Sequence, residues 1–327
     1  MNVLHITPHL GGGVGTVVSN WMLHVNDHQV CCLDTINAKV ADASLAWDNQ
    51  AIRWYDKLHP ISLYRDADIV VVHWWDHPML HDFFSHGLPE ARLVFWGHKN
   101  YPIPEQVRAF PDVFVNTSRV MGSGFVIWST GDMTRFFSMD PSRLGNVGIG
   151  YIGTLDWKKV HPHIIDIFKR LDTALPNSYK TIAGENHIWE NPPDGMLFSG
   201  HVDDVKDALQ WMEIFAYPLR SDHYGTCEQA LGEAMARGCV PVVMDNPAER
   251  LIIEHGVNGL IAPTPEDFVG HVVELVHNRV LRERLQRNAR RTARELYNTP
   301  RMVSTWERTL ECMMRSPKRC HAPLEGL

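Results

Sequence analysis

The stretch from Thr226 to Val243, TCEQALGEAMARGCVPVV, constrains the fold more than any other because loop, helix, glycine stop and buried strand follow one another without a gap. Thr226 stands where a helix cap would, and Gln229 three residues on can bond back to it, the pattern of a capping box. Gly238 supplies the C-terminal stop, and Cys239 to Met244 is a short apolar strand. A helix feeding directly into an apolar strand is the unit of an α/β sheet, with ligands gathered at the strand ends. Glu228, at the second helical position, and Glu233 then fall at the mouth of a crevice. Free amides at such a helix start attract phosphate. A diphosphate there, with acids reaching hydroxyl groups beyond it, is the chemistry of a nucleotide sugar.

The same alternation recurs twice. Asn2 to Thr7 is an apolar strand, a glycine loop runs from His9 to Thr16, and Val17 to Val25 continues as a helix. Strands follow at 29–33, 69–73, 93–96 and 113–116. A second series opens near Val147, with strands at 148–152, 179–183, 196–199 and 214–217 and helices at 161–171 and 205–211. The expected domains are 1–140 and 147–296, each Rossmann-like. Between them Asp140 to Asn146 has turn residues and no periodicity, which marks a hinge near Gly145. Helices are expected within 268–297, a last one across 297–315 returning to the first domain, and a loose tail over 316–327.

Composition narrows the partners. The chain of 327 residues is 44% hydrophobic and 21% charged, without an apolar run near the ~20 residues that cross a bilayer. A net charge of −7 disfavours nucleic acid. Six cysteines without metal-type spacing read as reduced thiols, and Met1 enters a strand pattern at once, so a cytoplasmic setting is expected. The arginine-rich run from Arg282 to Arg294 reads as a solvated helical face with pairs such as Glu283 with Arg287; a peripheral membrane contact is the sharper alternative.

The loop GGGVGT from Gly11 to Thr16, the segment YIGTLDWKK from Tyr151 to Lys159, then FSGHVDD, EAMARG, PVV and HGVNGL in that order resemble the retaining glycosyltransferases of family 4 along nearly the whole chain. The resemblance implies the GT-B architecture, two Rossmann-like domains facing across a cleft. It also implies transfer of a hexose from a UDP- or GDP-linked donor to a glycan or glycolipid acceptor, with no metal and no cofactor. By the same likeness the donor would meet Gly12, Gly13, Gly15, Thr154, Lys159, Tyr224, Gly225, Thr226, Glu228 and Glu233, and His98 would lie near the transferred sugar. His73, Trp75, Asp76 and His77 follow a strand and read as an acceptor wall, since aromatic faces pack on sugar rings.

Two positions depart from the family. Its paired glutamates stand eight positions apart, and counting back from Glu233 lands on Gly225. Glu228 is the candidate replacement. Thr154 stands where the family has an arginine, leaving Lys158 or Arg220 to supply the second phosphate cation beside Lys159. These gaps motivate a competing reading, a sugar-nucleotide-binding regulatory protein with weakened catalysis. A DNA-base glycosyltransferase is a further alternative that the acidic balance opposes.

Overall fold

The computed structural model describes residues 1–34, 52–54, 66–138, 146–190, 195–202 and 204–324. The expected hinge falls largely on residues 139–145, outside the described residues. The chain forms two compact units, Met1–Asp132 with Thr299–Leu327, and Met133–Asn298.

The first unit is a seven-stranded sheet of order β3-β2-β1-β4-β6-β7-β8, with strands at Val3–Thr7 (β1), His28–Cys32 (β2), Ile52–Trp54 (β3), Ile69–Trp74 (β4), Leu93–Gly97 (β6), Val113–Asn116 (β7) and Phe125–Val126 (β8). All its pairings are parallel. Runs such as IVVVHW are buried on both faces, which a parallel sheet demands. On one face Trp21 of helix α1 (Gly12–Met22) stacks on Trp306, with ring centroids 4.7 Å apart, and Trp96 closes the cluster. Trp306 belongs to the C-terminal helix Thr299–Met313, whose apolar side packs into this core.

Residues 319–324 correct the expectation of a loose tail over 316–327, of which 325–327 lie outside the described residues. Arg319–His321 pairs antiparallel with Leu88–Ala91 (β5), and Leu324 is buried against the core. Gly87, at φ 71, lies against this segment, where a Cβ would meet the His321 carbonyl oxygen at 2.7 Å. Main-chain pairing, invisible in a polar sequence, holds the segment down.

The second unit repeats the design in a six-stranded sheet of order β11-β10-β9-β12-β13-β14: Gly148–Ile152 (β9), Tyr179–Ala183 (β10), Met196–Gly200 (β11), Ile214–Tyr217 (β12), Val240–Met244 (β13) and Leu260–Ala262 (β14). The helix Gln229–Arg237 ends at Gly238, whose φ of 98 is the left-handed stop that glycine allows. Its start corrects the capping box: the residue at the cap position is Glu228, two beyond Thr226, and its side chain makes no cap hydrogen bond. Both sheets are parallel with helices on their faces, so the chain is α/β and each unit Rossmann-like.

Candidate functional site

In the second unit the chain leaves β12 at Tyr217, loops through residues 218–228 and enters the helix at Glu228 in a left-handed conformation, φ 39 and ψ 71. Only two other described non-glycine residues have positive φ, and such geometry costs on the order of 1–3 kcal/mol unless its surroundings enforce it. The surroundings do. The Tyr297 hydroxyl donates to the Cys227 carbonyl at 2.5 Å and to the Glu228 carbonyl at 3.2 Å. Gly232 leaves room for that ring, since a Cβ there would sit 2.5 Å from it. Replacing Tyr297 with Phe is therefore expected to loosen the turn and destabilise the fold by roughly 0.5–1.5 kcal/mol, the contribution of one hydrogen bond, since the Gly232 amide still bonds the Glu228 carbonyl at 3.0 Å. Thermal denaturation of Tyr297→Phe checks this.

The turn aims the Glu228 carboxylate inward, where the side chain is 3% exposed. Tyr217 donates to Oε2 at 2.6 Å, Lys159 Nζ lies 4.0 Å from the same oxygen, and His223 Nδ1 is 3.7 Å from Oε1. Burial and the Glu228 charge hold the Tyr217 hydroxyl far above its ordinary pKa, which keeps its proton on the bond. A Cβ built on Gly225 would fall 1.5 Å from Glu228 Oε1. The carboxylate thus fills the space that a side chain at 225 would take. Gly225 is not among the positive-φ glycines, so space alone keeps it bare.

Lys159 is fixed from both sides. Its amide donates to Asp156 at 2.8 Å, its carbonyl accepts from Arg220 at 3.1 Å, and its ammonium stands 5.4 Å from the Tyr217 ring centroid. Thr154 is half-buried, its carbonyl accepting from the Tyr151 hydroxyl at 3.1 Å. Glu233 lies one turn into the helix and is buried, as is Thr226, while Tyr224 is exposed.

His223 is a residue that sequence reasoning passed over. It is 1% exposed, its Nε2 lies 3.0 Å from Oε1 of the fully buried Glu249, and the Gly225 amide donates to its Nδ1 at 3.0 Å. Burial opposes its charge, but the Glu249 hydrogen bond and the nearby charges of Glu228 and Glu249 raise its pKa overall. No spacing in the sequence announces this pair, which the loop and the segment after β13 bring together.

Arg220 does not stand ready for a phosphate. Its guanidinium grips Asp222 and donates to the Trp157 carbonyl at 2.7 Å, whereas Lys158 is exposed. A cavity of about 510 Å³ opens beside this pair, lined by His161, Arg220, Asp222 and Asn246 among others, and not by Lys159, Glu228 or Glu233. The buried carboxylate and its partners mark the chemistry better than the open volume does.

The first unit places its residues differently from the expectation. The glycine loop is the first turn of α1: the Gly15 amide is spent on the Gly11 carbonyl at 3.4 Å, and a Cβ on Gly15 would strike the Leu10 carbonyl at 1.9 Å. Gly15 therefore serves close packing, and the amides without an intrahelical carbonyl are those of the turn before it, Gly12 and Gly13 included. The acceptor wall also divides. His73, in β4, is fully buried, and Trp75, just after the strand, is buried as well. Asp76 is exposed, with φ 62, and bonds His81 at 2.7 Å; His77 caps the next helix by accepting from the Met79 amide. His98 is not solitary, since its Nε2 lies 3.1 Å from Nδ1 of His73.

The arginine-rich helix Arg279–Leu296 is not wholly solvated. Arg282 is buried on Glu213 at 3.1 Å and on two carbonyls, Arg290 donates to the Phe137 carbonyl, and Glu283 pairs with Arg279 at 2.7 Å. Arg284, Arg287 and Arg291 are exposed.

Residues 140–292, all within the second unit, match the family described as glycosyl transferases group 1, which supports a glycosyltransferase. Among solved structures the chain is similar to Anabaena HepE in complex with UDP, at 14% identity and a TM-score of 0.72, over 95% of this chain and 100% of that one. A glycosyltransferase from Rickettsia africae is similar at 13% identity and a TM-score of 0.68, over 96% of this chain and 99% of the other. Sucrose-phosphate synthase from Thermosynechococcus elongatus follows at 11% identity and 0.67, over 96% and 99%. These likenesses show the fold, that of the GT-B glycosyltransferases. No curated protein matches the sequence. Among the described residues no helix is long and apolar enough to cross a membrane.

Proposed function

We propose that the chain is a retaining glycosyltransferase of family 4 that moves a hexose from a UDP- or GDP-linked donor to a glycan or glycolipid acceptor, without a metal or other cofactor, in the cytoplasm. The observation that carries this reading is the buried Glu228 carboxylate beside Lys159, at the strand-end turn of a group 1 glycosyltransferase domain. UDP is favoured because the similar HepE structure holds it. In the reaction the bond from the sugar carbon to the phosphate oxygen breaks and the bond to the acceptor oxygen forms. The acceptor's proton passes to the departing phosphate, and Lys159 steadies the charge that gathers there. Glu228 holds sugar hydroxyls and Glu233 the ribose hydroxyls. Asp76 and His77, the accessible pair of the acceptor wall, meet the acceptor.

A thermal-shift panel of nucleoside diphosphates and their sugars tests the donor. A ligand at one hundred times its Kd stabilises by about 2.7 kcal/mol, so one nucleotide series is expected to stand out. No shift with any diphosphate contradicts the reading. The vacant acid position at Gly225 favours a second one, a sugar-nucleotide binder with weakened turnover. Donor binding without hydrolysis or transfer, across a panel of acceptors, selects it.

A further inference from the structure

Four histidines of the first unit lie on four consecutive strands. His28 begins β2, His5 is central in β1, His73 is near the end of β4, and His98 directly follows β6. Register makes them a staircase: Val3 pairs with His28, His5 with Val71, and His73 with Trp96, so each next histidine lies two residues beyond its neighbour's partner. A step of two returns to the same face of the sheet. The rings touch in series, His28 Nδ1 to His5 Nε2 at 2.9 Å, His5 Nδ1 to His73 Nε2 at 3.1 Å, and His73 Nδ1 to His98 Nε2 at 3.1 Å. His5 and His73 are fully buried, and Trp21 and Trp96 pack against the row. His28 at the other end is half-buried.

Every link joins Nδ1 of one ring to Nε2 of the next. A neutral imidazole carries one N–H, so the four rings must all be protonated on Nδ1 or all on Nε2. We propose that the row is a tautomer-coupled proton relay between His98 at the carboxyl ends of the strands and His28 at the amino-end rim. A proton taken up at His98 Nδ1 sends its Nε2 proton to His73 Nδ1. His73 passes its own Nε2 proton to His5, and His5 to His28, which releases one proton from Nε2 to water. One proton enters, one leaves, and all four rings change tautomer together. Burial keeps the resting rings neutral, since it holds His98 at about 3 and His28 at about 4. His28 is thereby a positioning residue for the tautomer of His98. The acceptor's proton goes to the departing phosphate in the proposed transfer, so the relay is a separate path and does not rest on that reaction.

Nitrogen-15 histidine spectra of the full chain test it. All four rings are expected to show one shared tautomer, and the ring N–H protons of His5 and His73 are expected to exchange with solvent through His28. His28→Phe removes the exit, and His28→Gln keeps a hydrogen bond to His5 without passing a proton. Both are expected to slow ring exchange severalfold while backbone amide exchange in β1 is unchanged. Unequal tautomers among the four rings, or ring exchange indifferent to both substitutions in folded protein, would overturn the relay. Neither readout uses donor or acceptor, so a failed relay and a failed transferase are told apart.

Discussion

Gly225→Ala is expected to silence donor turnover, and exchanging the two residues, Gly225→Glu with Glu228→Gly, to restore it. The added Cβ would lie 1.5 Å from Glu228 Oε1 and 2.9 Å from His223 Nδ1, so the carboxylate must leave its place beside Tyr217. Losing one charged hydrogen bond of roughly 1.5–3 kcal/mol lowers turnover by about 10- to 100-fold. Glu228→Gly alone loses the acid as well; it relieves a left-handed residue but leaves the buried Tyr217 hydroxyl without its acceptor. In the exchanged variant the glutamate moves to position 225, where the family that the sequence resembles carries one, and glycine takes the position whose φ of 39 suits it. Steady-state donor hydrolysis on the three variants is the measurement. An exchanged variant no better than either single one would mean that Glu228 is not the relocated acid.

Mild acid is expected to unfold the first unit before the second. His28 and His98 titrate at about 4 and about 3 in the folded chain because burial opposes their charge, against about 6.5 when unfolded. The folded values are depressed, so the unfolded state binds more protons as the pH falls below about 6.5, and stability drains until the folded values are passed. At pH 5 the difference is about 2 kcal/mol for each, and His5 and His73 are lowered in the same direction. Because the four share hydrogen bonds their losses are not additive. His223 in the second unit has the opposite sign: its raised value contributes stability that is complete below about 6.5 and fades as the pH rises through it. Urea titrations at pH 7.5, 6 and 5 follow this, read by tryptophan fluorescence, with Trp21, Trp96 and Trp306 buried in the first unit. A first unit equally stable at pH 7.5 and 5 would contradict it.

Much of the fold was legible because parallel strands are apolar runs bounded by turns. Val113–Asn116, Gly148–Ile152, Tyr179–Ala183 and Ile214–Tyr217 lie where hydrophobic pattern alone puts them. The helix start at Gln229 was not, because the helix is entered through a strained glutamate that no capping rule anticipates and that Tyr297, some seventy residues on, pins in place. The same holds for the tail, whose anchor is backbone pairing with β5. The missing acid was visible as a gap at Gly225, and only the packing shows that the Glu228 carboxylate stands in that gap. Histidines at 5, 28, 73 and 98 look unrelated until strand order and register put them in contact. Arg220 looked available as a phosphate cation, and the pairing with Asp222 two residues away removes it.

The central claim is that Lys159 and Glu228 together hold a sugar nucleotide, the ammonium on the diphosphate and the carboxylate on the sugar. Calorimetric titration of UDP and UDP-glucose into the wild-type chain, Lys159→Met and Glu228→Gln tests it directly. Binding is expected within the roughly 1 μM to 1 mM range common for enzyme substrates, with Lys159→Met weakening both ligands and Glu228→Gln erasing only the advantage of the sugar nucleotide over UDP. Wild-type affinity for both ligands in both variants would contradict the account.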